Sequence, residues 1–346
     1  MRQAILCGYY GMGNGGDEAL LAALLQMLPK TVKPLVLSAQ PRATEKLHQV
    51  EAVDRKSVWS ILQAFKQSEI FIWGGGSLMQ DATSARNPFY YGGLLGLAGG
   101  MGLQTIAWAQ GVGPLRYASS QWITQRAFSR CDRISVRDSK SAKLLSDWDI
   151  NCLMAPDPVW ALASEPVAQM WDLPAPRIAV SLRSHPQLTP ERISCLIEAL
   201  RQLQQATNAY FLLVPFQPSK DKSIAEQIHL AMPQASKVMT ETNPRSLKGI
   251  FRGVEMAITM RYHGMIMSAA EGCRCSSISY DPKMSTLMAE LDLPGWELNH
   301  LPNNPQEISQ TWLEYFANGE PLSQDRLSSL VDRALIHQQL LTGDAN

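Results

Sequence analysis

The sequence predicts an α/β protein made of two doubly wound parallel sheets facing each other across a cleft. Short apolar runs without polar alternation recur between helical patterns, as strands buried on both faces of a parallel sheet do. A proline-rich passage around residues 155–176 interrupts that alternation, which then starts afresh. The 346 residues also exceed the size at which one core usually stops growing. The expected division is a first domain over 1–165, a second over 175–300, and C-terminal helices over 301–346.

In the first half the strands are read at Gln3–Cys7, Lys33–Leu37, Glu69–Trp73, Gln104–Ala109 and Arg133–Val136. Helices are read between them at 17–28, 58–67, 90–101, 119–130 and 138–148. The span between Arg86 and Arg116 carries no charge. Its glycines, with Gln104 and Gln110, argue for a buried helix and strand rather than a membrane-spanning helix. After the proline-rich passage come strands at 177–182, 209–215, 254–260 and 275–279, with helices at 190–206, 219–231, 264–271 and 284–291. Two further helices, about 305–317 and 322–341, finish the chain.

Lysine plus arginine and aspartate plus glutamate both number 31, so no global field recruits nucleic acid or an anionic surface. The six cysteines are scattered singly apart from Cys273-Arg-Cys275, which has no second pair for a zinc site. Reduced, mostly buried thiols and a cytoplasmic protein are expected. Met1 leads straight into a core strand, with no secretory segment. The remaining histidines, His48, His229, His300 and His337, have no partner motif and read as surface or helix positions.

Ligands of open parallel sheets sit beyond the carboxyl ends of the strands, so those loops carry the chemistry. The second half ends one strand in Arg261-Tyr262-His263-Gly264, with a helix following at once. A helix N-terminus offers unpaired N–H groups and a positive dipole end to an anion. Arg261 adds fixed charge, and an imidazole, with an ordinary pKa near 6.5, can move a proton. Arg183 follows another strand of this half, and Lys283 follows the last one, in Tyr280-Asp281-Pro282-Lys283. In the first half, Gly11, Gly13 and Gly16 formally satisfy a dinucleotide fingerprint. Asp17-Glu18 occupies the place where a pyrophosphate needs positive potential, and the second strand ends without a carboxylate for a ribose. Asn14 and Asp17 suit sugar hydroxyls better, although Asp17 could simply cap its helix. Gly74-Gly75-Gly76-Ser77 permits close backbone approach, and Asp81 is a second carboxylate on that side. Arg137 reads either as an anion ligand or as the partner of Asp138. Basic groups on one wall and glycines with carboxylates on the other fit an anionic donor and a polyhydroxyl acceptor.

Taken in order, these corners resemble the bacterial polysaccharide pyruvyl transferases. The matching residues are Gly8-Tyr-Tyr-Gly11 with Asn14 and Gly16-Asp17-Glu18, Gly74 to Asp81, Gln110-Gly-Val-Gly-Pro114, and Val136-Arg-Asp138. Asp157-Pro158, Arg261-Tyr-His-Gly264 and Tyr280-Asp-Pro-Lys283 continue the series. The resemblance implies a Rossmann-like, GT-B-like fold. It also implies phosphoenolpyruvate as donor and a pyruvate ketal on a cell-envelope sugar, an N-acetylhexosamine such as N-acetylmannosamine. His263 would be the general acid, with Asp17 or Asp81 orienting or deprotonating the acceptor. Arg261, Lys283, Arg183, Arg137 and the Gly264 corner would hold the donor. Asn14, Gly13, Gly16, Gly75, Gly76 and Ser77 would line the acceptor side. No cofactor or metal is expected. The acceptor would be lipid-linked or polymeric, which allows a peripheral contact at the inner face of the membrane, and a homo-oligomer is compatible. The rivals are a nucleotide-sugar glycosyltransferase of the same fold and a non-catalytic glycan-binding protein.

Overall fold

The computed structural model of the protein describes residues 1–82 and 84–342. The last residues of the expected C-terminal segment, 343–346, lie outside them. The chain forms two compact units: residues from Met1 to Leu162, rejoined from Ser328 onward, and Ala163–Leu327.

The first unit runs β1 (Arg2–Cys7), α1 (Gly15–Met27), β2 (Val32–Ser38), α2 (Pro41–His48), β3 (Glu51–Asp54), α3 (Val58–Gln67) and β4 (Ile70–Trp73). It continues with β5 (Gly76–Met79), α4 (Asn87–Gly100), β6 (Gln104–Val112), α5 (Ala118–Phe128), β7 (Arg133–Val136), α6 (Ser139–Ser146) and β8 (Leu153–Met154). The sheet order is β3-β2-β1-β4-β6-β7-β8, with β5 also paired to β6 and all pairings parallel. Helix α1 forms because Asn14 caps it and Leu20, Leu21, Ala23 and Leu24 bury against the sheet. The core gathers around Trp73, whose ring stacks on Tyr91 at 5.8 Å.

The second unit runs β9 (Arg177–Ser181), α7 (Pro190–Thr207), β10 (Tyr210–Leu213), α8 (Pro218–Ala231), β11 (Ser236–Val238), α9 (Pro244–Gly249) and β12 (Met256–Thr259). Then come α10 (Tyr262–Ala270), β13 (Arg274–Ser279), α11 (Pro282–Leu291), β14 (Gly295–Glu297) and α12 (Pro305–Asn318). Its parallel sheet has the order β11-β10-β9-β12-β13-β14. Helix α7 shows how sequence sets an element here. Thr189 caps it, Pro190 fits the first turn, Leu196, Ala199, Leu200 and Leu203 face the core, and Asn208 ends it in left-handed backbone.

The tail expected as one helix over 322–341 is broken. It is α13 (Gln324–Leu335), a 3₁₀ turn at Ile336–Gln338, and α14 (Gln339–Thr342). The break serves His337, which is fully buried rather than at the surface. Its Nε2 donates to the Pro156 carbonyl at 3.0 Å, and its Nδ1 lies 2.9 Å from Ser135 Oγ. The helix expected as buried over 90–101 is a second correction. Helix α4 buries Tyr91, Leu94, Leu95 and Ala98, while Phe89, Gly93, Gly96, Leu97 and Gly100 face solvent.

Candidate active site

In the second unit, β9 and β12 are neighbours, with Ser181 opposite Thr259. Strand order reverses here, so a crevice opens beyond the carboxyl ends of this pair. Arg183 and Arg261 each lie two residues beyond one of those ends. Three buried groups sit there without a hydrogen-bond partner among the described residues: Ser181 Oγ, Arg183 Nε and Arg261 Nε. Buried donors are almost always satisfied, so a cluster of unsatisfied ones points to something that arrives from outside.

The rest of each guanidinium is held rigidly. Arg261 Nη2 donates to Asp221 Oδ1 within a buried ion pair. Asp221, on α8, is fully buried and also accepts from the Gln217 N–H at 2.8 Å. Arg183 Nη1 donates to Tyr280 Oη at 2.5 Å, and its guanidinium carbon lies 4.5 Å from the centre of that ring. The His185 ring lies 5.3 Å from the same Tyr280 ring. Burial, with the charge of Arg183, pushes the His185 pKa down.

Arg261 is also the residue from which α10 starts, and no side chain caps that helix. Its main-chain N–H donates to Thr259 Oγ1 at 2.9 Å. Gly264 lets the first turn sit against β12, because a Cβ there would lie 2.6 Å from Thr259 Oγ1. His263 is in that turn, half-buried, with its ring 5.3 Å from Tyr262. Lys283 opens α11 beyond β13, the next strand over. Its main-chain N–H donates to the capping carboxylate of Asp281 at 2.9 Å, and its amine is shielded from solvent. The four basic residues read from the sequence thus lie at the carboxyl edge of three adjacent strands.

In the first unit the reversal of strand order falls between β1 and β4, beside the loops Gly8–Asn14 and Gly74–Gly76. Asn14, not Asp17, caps α1: its Oδ1 accepts from the Gly16 N–H, and its Nδ2 donates to the Asp17 carboxylate. The loop is tied from beneath by Glu18, which accepts from the Gly11 N–H at 2.8 Å and meets His48 Nε2 at 2.9 Å. Both side chains are buried, so His48 is a supporting residue and not a surface one. Gly13 stands at the exposed tip with φ of 65°. Gly74 makes room for the buried Tyr10 hydroxyl, which a Cβ would meet at 2.0 Å. Gly75 and Gly76 are buried beside it.

Two expected site residues are engaged within this unit. Asp81 is 6% exposed, and its carboxylate accepts from the N–H groups of Arg116 at 2.8 Å and Tyr117 at 3.0 Å. Burial alone would raise its pKa, but those N–H groups outweigh it and hold the carboxyl below its ordinary value. Such a group anchors the start of α5 and is a weak proton acceptor. Arg137 does not pair with Asp138, which caps α6 instead. Its Nη1 meets Asp157 at 2.5 Å and its Nη2 donates to Ser77 Oγ at 2.8 Å. Asp221 and Ser181 were not singled out in the sequence reading, and Glu18 and His48 were given no supporting role there. Glu18 does lie inside a quoted corner and Ser181 ends the strand before Arg183, whereas Asp221 sits 40 residues from its partner with no local signal.

A model of the polysaccharide pyruvyl transferase family matches residues 14–282, a span that starts after the first glycines and ends one residue before Lys283. The chain belongs to the polysaccharide pyruvyl transferase family. No curated protein matches it. Among solved structures, this pyruvyl transferase family member is similar to a UDP-N-acetylglucosamine 2-epimerase from Listeria monocytogenes described as putative. The TM-score is 0.65 at 9% identity, covering 97% of this chain and 94% of that one. The UDP-GlcNAc 2-epimerase from Neisseria meningitidis, bound to UDP-GlcNAc, gives 0.63 at 9% over 99% and 100%. HepE from Anabaena, in complex with UDP and glucose, gives 0.56 at 8% over 98% and 95%. At such identities the likeness establishes a GT-B-like, Rossmann-like α/β fold.

Proposed function

We propose that this pyruvyl transferase takes pyruvate from phosphoenolpyruvate and joins it as a ketal to two hydroxyls of one envelope sugar, an N-acetylhexosamine. The observation that carries the reading is the set of buried, unsatisfied donors Ser181 Oγ, Arg183 Nε and Arg261 Nε at the strand-order reversal of the second unit. A small dianionic or trianionic ligand would complete them, and Lys283 with the uncapped start of α10 would add charge and N–H groups.

The chemistry balances with one acid and one acceptor of protons. His263 protonates the methylene carbon of the enol phosphate, which becomes the methyl group and leaves an oxocarbenium-like centre. One sugar hydroxyl adds to that carbon and gives up its proton. The C–O bond to phosphate breaks, and the second hydroxyl closes the ring. Of the two hydroxyl protons, one restores His263 and the other leaves with inorganic phosphate. Asp17, half-buried beside Asn14, is the better-placed carboxylate to orient or deprotonate the acceptor, because Asp81 is committed to main-chain N–H groups. No step is routed through a metal, so turnover in excess chelator should equal turnover without it.

The test is calorimetric titration with phosphoenolpyruvate, followed by turnover measurements on His263→Gln. Phosphoenolpyruvate should bind the wild type, and His263→Gln should bind it within a few-fold while losing about a hundredfold to ten-thousandfold in kcat. Near-normal turnover in that variant removes His263 from the acid role. The fold likeness to UDP-bound proteins favours one rival, a nucleotide-sugar glycosyltransferase. UDP-GlcNAc binding, with silence toward phosphoenolpyruvate, would establish that rival instead.

A further inference from the structure

Away from the strand ends, α4 and α5 border a groove of about 1090 Å³ in the first unit. One wall is the solvent face of α4, where Gly93, Gly96 and Gly100 leave open space. The other is α5, which presents Trp122 and Arg126 one turn apart, with Arg130 in the turn just past its end. Arg2 also lines it, paired with Glu69 at 3.0 Å.

Two features set this surface apart from an ordinary solvated face. The exposed side of α4 has no charged residue, and it presents Phe89 and Leu97 at 49% and 40% exposure. Trp122 is 61% exposed, with the Arg126 guanidinium 5.6 Å from its ring centre. Surface helices usually turn polar residues to water, and a contiguous apolar face marks a partner. The rim meanwhile is basic. Among the described residues neither Arg126 nor Arg130 has a carboxylate within ion-pair distance. Asp132, the acidic lining residue, is occupied by the Thr105 N–H and hydroxyl at 2.7 and 2.8 Å.

We infer that the α4–α5 face docks the protein on an anionic lipid surface, with lipid phosphates at Arg126 and Arg130 and hydrocarbon against Phe89, Leu97 and Trp122. Apolar and aromatic groups beside arginines are the composition that lies in a membrane interface. Charge favours an anionic lipid over a second copy, since Arg126 and Arg130 would meet no acidic group across such an interface from this groove except Asp132, which Thr105 already holds. The inference does not depend on the identity of the donor or acceptor.

Co-sedimentation with vesicles of phosphatidylcholine alone, or with phosphatidylglycerol added, tests it. The full chain should bind the anionic vesicles and not the neutral ones, less tightly as salt rises. Each arginine near such a surface is worth about a factor of five, so Arg126→Ala with Arg130→Ala should bind roughly 25-fold more weakly. Gly96→Glu, which fits the open space and charges the apolar face, should abolish binding while thermal unfolding stays near wild type. Absence of wild-type binding at low salt overturns the inference, as does binding unchanged in both variants. A dimer by analytical ultracentrifugation that Gly96→Glu dissociates, without vesicle binding, would make this a contact between copies and also overturn it.

Discussion

Arg261 and Arg183 are proposed to hold the same anion but differ in what else depends on them. Arg261 neutralises Asp221 in the interior, so Arg261→Ala leaves a buried carboxylate alone and should cost about 3–5 kcal/mol of stability. Adding Asp221→Leu should recover much of that in urea unfolding, yet phosphoenolpyruvate binding should stay lost. If stability and binding returned together, Arg261 would be a structural residue and no anion clamp. Among the described residues Arg183 hydrogen-bonds the hydroxyl of half-buried Tyr280 and no carboxylate. Arg183→Gln removes one charge-assisted contact of about 1.5–3 kcal/mol, so titration should show binding roughly 10- to 150-fold weaker with little change in melting temperature. The basic residues themselves were legible in the sequence, because strand-end arginines and lysines stand out after apolar runs. Their internal partners were not. Nothing local ties Asp221 to Arg261, since the sheet alone brings α8 beside the end of β12.

The corner between β12 and α10 is set by one missing side chain. A methyl group at position 264 would press on Thr259 Oγ1, whose bond to the Arg261 N–H fixes the helix start. Gly264→Ala should therefore destabilise by about 1–3 kcal/mol in urea unfolding and weaken anion binding at the same time. Preserved stability and binding would show that the corner has slack. Elements announced by an apolar run or a clear helical face were readable from pattern: α3, β7, α7 and β13 fall within a residue or two of expectation. Those that escaped are short or lie at sheet edges. β3, β8, β11 and β14 span two to four residues and keep mixed or polar surroundings, so no apolar run announces them. β6 runs to Val112, past the expected Ala109, because a bulge intervenes. Ala109 has φ of 51°, and the pairing of β6 with β7 shifts register there. Gln110 then turns inward to donate to the Trp73 and Gly74 carbonyls at 2.8 Å, which holds the glycine corner in place.

At the scale of the molecule, the chain from Ser328 onward returns to the unit it began in, and His337 is the fastening. Besides its ring contacts, its carbonyl accepts from Trp108 Nε1 at 3.1 Å. Burial pushes its pKa down to about 4, against an ordinary 6.5. Unfolding therefore takes up a proton between those values. The stability is fully present above pH 6.5 and is lost as pH falls toward 4, by at most about 3 kcal/mol. Thermal unfolding across that window should show the loss, and His337→Gln should flatten it; equal slopes would assign the pH dependence elsewhere. The sequence by itself determined the two parallel-sheet repeats, the glycine corners and the basic strand ends, because apolar period and turn chemistry are local and survive without neighbours. Only the tertiary structure decided that Asp81 and Arg137 serve as internal anchors and that Arg183 and Arg261 keep unsatisfied donors. It alone buried His337 and turned a charge-free helix to the solvent. Each of these depends on which groups meet across distant segments, and burial and pairing follow from packing in three dimensions, not from spacing along the chain.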